Sequence, residues 1–256
     1  MVTNALSTYT SANDDFADVR QQDIIMPRIA LQQATSAGVV DGKYKMGQFI
    51  DTAQETVAID LGKIGKIIPL VFWLDWIEWN TDRAAPKDKR VTARSTDPQS
   101  ELAKMAGQYV KIMTPQGERL RVTEGYNFIC LLPSYSGNYT DPFHICLSKS
   151  SHSTGKSWIN KLMKAKIRVE DQLIKAPIWA NEWEISSIKE QKDGNTFART
   201  VIGSSTMVPA DLHTDINDLS VAFKARKDDI MKKNSAADEE DTPSGTAPSA
   251  EDMKNM

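Results

Sequence analysis

The run at positions 64–80 most constrains how this chain can fold. It is rich in Ile, Val, Phe and Trp, and charged residues interrupt it only late. Its uninterrupted apolar part, at 67–74, has the length of a strand and is far shorter than the roughly 18 residues of a membrane span. Because β-branched and aromatic residues pack well on a pleated surface, the run predicts a β-strand.

Shorter strand patterns lie at close spacing on both sides of this run. They cover 56–60, 109–113, 119–122, 126–132, 142–148, 177–185 and 195–202. Two helices are predicted, one from Ser153 or Thr154 with an apolar stripe reaching Ile167, and one from Pro209 to about Lys233. Consecutive strands with so few helices favour a mainly β fold (β+α), an antiparallel barrel or sandwich with one inserted helix.

The two ends of the chain differ in composition from its middle. Residues 1–23 are polar and predict a flexible arm, 24–226 a β-rich nucleic-acid-binding domain, and 227–256 a disordered acidic tail. Residues 234–256 carry a net charge of −5 and the whole chain −3, so the first 233 residues carry +2. The main acidic cluster of the tail is Asp238, Glu239, Glu240 and Asp241.

An acidic tail on a slightly basic body is typical of proteins that bind single-stranded nucleic acid. There the tail competes with phosphates for the basic groove or recruits partners. A tail that only improves solubility is the alternative interpretation.

The sequence carries no strong signature of catalysis, of a cofactor or of export. The segment 153–157 (STGKS) echoes the end of a phosphate-binding loop, but Ser150 stands where that loop needs its first glycine. The three histidines have no partners at metal-ligand spacing. The N-terminus has neither the basic flank nor the apolar core of a secretory signal. We therefore expect a cytoplasmic protein that does not bind a membrane, has no cofactor and is not an enzyme.

The first candidate site joins aromatic residues to a basic segment. It consists of Trp73, Trp76, Trp79, Arg83, Lys87 and Arg90. On a strand Trp73 and Trp79 share one face and Trp76 takes the other, so at least one ring is expected to be half exposed unless a helix covers it. Single-strand binders combine base stacking with phosphate contacts in this way. The alternative is that all three tryptophans belong to the core and the basic segment is a solvated loop.

The second candidate site surrounds the first predicted helix. Between Asp141 and Glu170 there are six basic residues and no acid. Hydroxyl and backbone N–H groups before the helix suit phosphates. The candidate residues are Tyr135, Tyr139, Lys149, Lys156, Trp158 and Lys161. The alternative is an ordinary charged helix face.

Several segments resemble bacteriophage proteins. These are 26–33 (MPRIALQQ), 42–47, 49–51, and 142–150 (PFHICLSKS) with 156–158 (KSW). Loosely over 24–205 and in its tail, the layout is similar to phage replication single-stranded DNA-binding proteins. That resemblance implies an OB-like (oligonucleotide-binding) barrel and an acidic tail that contacts polymerase, helicase or primase. One departure is that this tail ends with Lys254 and without an aromatic residue.

The function predicted from these patterns is binding of single-stranded DNA in phage replication or recombination. Rings would stack on bases, cations would hold phosphates, and the tail would screen the groove. Two other classes stay open: a phage virion or assembly protein with a β-sandwich body, and a nucleic-acid-processing enzyme whose acids are not grouped in sequence.

Overall fold

A computed structural model describes residues 26–80, 82, 90–114, 117–169, 171–192, 194–228 and 230. The strands are β1 (Arg28–Leu31), β2 (Phe49–Asp51), β3 (Thr56–Ile59), β4 (Gly65–Trp79), β5 (Val91–Ser95), β6 (Lys111–Thr114), β7 (Gly117–Leu120), β8 (Val122–Leu131), β9 (Pro142–Leu147), β10 (Lys166–Val169), β11 (Gln172–Lys175), β12 (Asn181–Lys192) and β13 (Asn195–Met207). The α-helices are α1 (Ala37–Val40), α2 (Glu101–Gly107), α3 (Pro133–Ser136), α4 (His152–Lys164) and α5 (His213–Ala225). Short 3-10 turns lie at Lys149–Ser151, Ile178–Ala180 and Ala210–Leu212.

The larger sheet has nine strands and curls into a half-barrel. Its order is β13-β12-β4-β8-β9-β1-β2-β3, and β5 also pairs with β4. All pairs are antiparallel except β1 with β9. The run singled out in the sequence is the long strand β4, which pairs with β8 from Ile68 opposite Leu131 to Glu78 opposite Val122. The mainly β, OB-like fold class with few helices is thus confirmed, in the form of a curled, open sheet.

The two faces of this sheet are covered by different helices. Along β8, Phe128 belongs to one apolar cluster and Ile129 to a second, since successive side chains of a strand point to opposite faces. Trp158 of α4 packs into the first cluster, and Ile216 of α5 packs into the second. The helices α4 and α5 therefore lie on opposite faces of the sheet.

Side chains occupy the outer edge of β13, which ends the sheet. The Gln33 amide donates to the Ala198 carbonyl and accepts from the Ala198 N–H, both at 3.0 Å, as a neighbouring strand would do. Two residues further along β13, the backbone of Thr200 is bonded in a similar way. Ser151 Oγ accepts from the Thr200 N–H at 3.0 Å, and Thr154 Oγ1 donates to the Thr200 carbonyl at 2.7 Å. These bonds fix α4 to the sheet and cover an edge that is otherwise open to pairing with another chain.

The predicted end of the first helix is wrong. The first helix ends at Lys164, and Ile167 instead pairs with Ile174 in the separate hairpin of β10 and β11. Such β-branched residues suit strand pairing better than a helix end. The last helix, α5, ends at Ala225, and helical geometry resumes at 227–228 and Ile230 after a turn at Arg226. Its predicted end near Lys233 lies outside the described residues, and Ile230 packs into the second cluster.

The predicted N-terminal arm and the acidic cluster Asp238, Glu239, Glu240 and Asp241 lie outside the described residues. In the part of the chain that is described, no helix is both long and apolar enough to cross a membrane.

Candidate nucleic-acid interface

Three of the four candidate tryptophans are buried. Trp73 and Trp76 are only 3% and 5% exposed, and the Trp73 ring stacks on His144 with 5.4 Å between centroids. Trp158 is 1% exposed and its ring lies 4.3 Å from that of Phe128. No base can reach these rings, which corrects the expectation that they stack on DNA. They bury large apolar surfaces and belong to the packing of the fold.

Trp79, by contrast, is half-buried at the end of β4. Its indole N–H donates to Thr123 Oγ1 at 2.8 Å, which fixes the plane of the ring. The Lys149 ammonium lies 4.5 Å from the ring centroid, within the range of a cation–π interaction. The first and second candidate sites therefore meet at this pair.

The backbone of Lys149 is in an uncommon conformation. Its φ is +50°, in the left-handed region, where a residue other than glycine costs on the order of 1–3 kcal/mol. Lys149 opens the 3-10 turn that precedes α4, and the contacts of Ser151 and Thr154 with β13 fix that segment. The turn thus holds the ammonium of an exposed lysine beside an aromatic ring.

An acid–histidine pair lies next to this turn. His152 Nε2 is 3.6 Å from a Glu124 carboxylate oxygen, and the His152 ring meets the Tyr126 ring edge-on at 5.2 Å. The neighbouring His152 lowers the pKa of Glu124, and the positive charge of Lys156 lowers it further. Burial, with the negative charge of Glu124, raises the pKa of the Tyr126 hydroxyl. Glu124, whose charge interacts with Lys156, thus also lies beside a histidine.

The glycine of the STGKS segment has a packing role. Gly155 lies inside α4, and a Cβ added there would sit 2.7 Å from Tyr126 side-chain atoms. The missing side chain lets α4 approach β8 closely. The segment is helical and packed on the sheet, so it does not form a loop that could wrap around a phosphate.

The other side of α4 faces β13 across a cleft of about 150 Å³. Its lining includes Ser153, Ser157 and Lys161 from the helix and Arg199 and Val201 from the strand. Lys161 Nζ also lies 5.8 Å from the centroid of the Trp183 ring. Arg199 was not identified from the sequence. The alternation of β13 was the available signal, because Arg199 stands between the buried residues Ala198 and Thr200.

The two candidate tyrosines lie far from Trp79. Tyr135 donates to or accepts from Thr56 Oγ1 at 2.6 Å and packs on Phe143, whereas Tyr139 packs against the second cluster. Both follow the end of β8 at Leu131, while Trp79 lies beside its start at Val122. A strand rises roughly 3.3 Å per residue, so the two ends of β8 are about 30 Å apart.

Three basic residues of the first candidate site remain. Arg90 is 8% exposed, so most of its side chain cannot reach a phosphate. Arg83 and Lys87 lie outside the described residues. Among the residues that are described, no cluster of three or more His, Cys, Asp or Glu side chains could hold a metal ion.

The geometry defines a mainly β protein that carries a basic helix across one face of a half-barrel sheet. The family model for Pam3 phage gp34-like protein matches residues 1–228, so the chain belongs to this family of phage proteins. No curated protein and no solved structure matches the chain.

Proposed function

We propose that this phage protein binds single-stranded DNA across α4 and the end of β4. The observation that carries the proposal is the position of the Lys149 ammonium, 4.5 Å from the centroid of the half-buried Trp79 ring. One base stacks on Trp79, and Lys149 contacts the neighbouring phosphate. Stacking of this kind contributes about 1–3 kcal/mol per base.

Electrostatic contacts extend the interface along α4. Lys149, Lys156 and Lys161 are exposed, and no acidic residue occurs between Asp141 and Glu170 in the sequence. Each phosphate that these lysines neutralise releases condensed counterions, so the affinity falls steeply as salt increases. A single half-buried ring with basic groups on one side suits an unpaired base, because bases in a duplex are already stacked and paired.

The proposal extends to the acidic tail as a regulator of DNA binding and to the infected cell as the place of action. The acidic tail competes with DNA for the basic surface and offers a docking segment to a replication polymerase, helicase or primase. The protein acts without catalysis in the cytoplasm of the infected cell, during replication or recombination.

The proposal is tested by titrating a fluorescent dT oligonucleotide, and a duplex of the same length, at low and high salt. Full-length protein is compared with a chain ending at Lys233, which keeps Ile230 and removes the acidic cluster. We expect salt-sensitive binding that favours dT and strengthens without the tail. Equal affinity for duplex, or no binding together with ordered oligomers, would overturn the proposal and favour a virion or assembly role. Metal-dependent cleavage of the oligonucleotide would favour the enzyme class instead.

A further inference from the structure

The cleft between α4 and β13 has the lining of an anion site. Eight residues line it and none of them is acidic: Ser153, Thr154, Ser157, Trp158, Lys161, Arg199, Val201 and Ile202. Its volume of about 150 Å³ is several times what one water molecule needs. A group larger than water and negatively charged therefore fits both its size and its chemistry.

The helix wall of the cleft, formed by α4, carries several hydrogen-bond donors. Lys161 Nζ donates to the Ile202 carbonyl at 3.3 Å, which leaves two of its three protons for another acceptor. On the helix wall, the hydroxyl-bearing residues Ser153 and Ser157 are exposed, and Ser153 lies in the first turn of α4, where the helix dipole favours a negative charge.

The opposite wall holds its cation in a fixed orientation. Arg199 Nε and Nη2 donate to Glu190 Oε1 at 2.9 and 2.6 Å, and Nη1 lies 3.4 Å from Thr154 Oγ1. These bonds lock the guanidinium in place and lower the pKa of Glu190, so the acceptor stays ionised. A preorganised guanidinium suits recognition of an oxyanion.

A buried donor at the cleft has no acceptor. Trp158 is 1% exposed and lines the cleft, and its indole N–H has no hydrogen-bond partner among the described residues. A buried donor left unpaired costs about 1–3 kcal/mol. This unpaired donor in a residue that lines the cleft is an observation independent of the charges of Lys161 and Arg199.

We propose that this cleft binds one phosphate group. The inference deepens the proposed function, since the phosphate is taken to belong to a DNA strand that crosses α4 on its way to Trp79. Three or four oxygens around one phosphorus match donors that approach from α4 on one side and from β13 on the other.

The test follows the indole N–H signal of Trp158 by two-dimensional NMR of the full-length protein, with the signal assigned by Trp158→Phe. Inorganic phosphate is titrated at constant ionic strength, and chloride serves as the control. We expect a saturable shift with phosphate and none with chloride. No shift, or an equal shift with chloride, overturns the proposal.

Two pairs of variants localise the effect. We expect Lys161→Gln to weaken phosphate binding about tenfold, because a hydrogen bond to a charged group is lost. Lys164→Gln removes the same charge from an exposed position on the same helix that does not line the cleft, and it should leave the affinity unchanged. Ser157→Ala should weaken binding and Asn160→Ala should not. If the two variants of either pair change the phosphate affinity equally, the assignment of the phosphate site to the cleft is overturned.

A final titration with a dT oligonucleotide separates this inference from the proposed function. A Trp158 shift that free phosphate competes away supports both. Binding of dT that leaves the Trp158 signal unchanged overturns the inference that a DNA phosphate binds in the cleft, and it leaves the proposed function standing. A phosphate shift in a protein that binds no dT supports a phosphate site and overturns its assignment to a DNA strand, along with the proposed function.

Discussion

The Lys149 ammonium and the Trp79 ring, 4.5 Å apart, join two segments that are distant in sequence. Trp79 ends the longest strand of the sheet, and Lys149 begins the turn that leads into the basic helix α4. The left-handed backbone of Lys149 and the bond from the Trp79 indole to Thr123 fix both partners. An aromatic ring and a cation therefore lie side by side at one point of the surface.

Replacing this lysine should change how DNA binding depends on salt. Lys149→Gln removes one phosphate contact, and each contact to a single strand contributes about 0.7 to the slope of log affinity against log salt. We expect the slope to fall by about 0.7, measured by titration of a fluorescent dT oligonucleotide at several salt concentrations. Lys224→Gln is the matched control, because Lys224 is an exposed lysine on α5, which covers the other face of the sheet. Equal slopes for the two variants would contradict the placement of the interface.

The close approach of α4 to β8 predicts opposite effects for two glycine substitutions. Gly155→Ala places a methyl group 2.7 Å from Tyr126 side-chain atoms, and overpacking of this kind costs about 1–3 kcal/mol. Gly107→Ala, in α2, meets no atom within 4 Å and should be neutral or stabilise by up to about 1 kcal/mol. Urea unfolding measures both free energies. A stable Gly155→Ala variant would show that the helix does not need this contact.

At Ala198, the edge of β13 is paired by one side chain, that of Gln33 from the segment after β1. Gln33→Ala removes both hydrogen bonds to the Ala198 backbone and should lower the free energy of unfolding by about 1–3 kcal/mol. Gln32→Ala is the control, because Gln32 takes part in the fold through backbone bonds to Gln48 and Gly47. Thermal or urea unfolding of the two variants compares them. Equal losses of stability would mean that the Gln33 amide does not act as a substitute strand.

The Glu124–His152 pair predicts a pH-dependent contribution to stability. Because His152 lowers the pKa of Glu124 in the folded protein, the contribution is present above the unfolded pKa of about 4.3 and is lost as pH falls through the lower, folded value. Glu124→Gln should therefore destabilise at pH 6 by up to about 1 kcal/mol, as expected for a partly exposed pair, and the difference should shrink toward pH 3.

Urea unfolding across this pH range measures the effect, and the same substitution in a His152→Gln background is its control. There the pH-dependent difference should largely disappear. A difference that persists in that background would assign the effect to another neighbour of Glu124.

Local patterns predicted much of the sheet. The apolar run at 64–80 became β4, and the strand patterns at 177–185 and 195–202 became the paired strands β12 and β13, because such signals depend on neighbouring residues. The short strands β1, β2 and β5 were missed, since three to five residues carry too little pattern and are stabilised by partners far along the chain. The continuation of α4 past Lys164 was wrong because Ile167 found a cross-strand partner, Ile174.

The candidate site was predicted less completely. Lys149, Lys156 and Lys161 were identified from charge, and in the structure all three side chains are exposed. Residue type could not separate the half-buried Trp79 from the buried Trp73 and Trp76, because burial depends on which helix covers each face of the sheet. The alternation of β13 separates Arg199 from its buried neighbours, but only the packing of α4 beside β13 brings Arg199 to the cleft.

The most direct test of the account is the affinity of a dT oligonucleotide for wild-type protein, Trp79→Ala and Trp79→Phe at one salt concentration. Circular dichroism and melting temperature check that each variant is folded. We predict that Trp79→Ala loses about 1–3 kcal/mol of binding free energy and that Trp79→Phe, which keeps a ring, retains most of it. Folded Trp79→Ala protein that binds dT as tightly as wild type would contradict the account.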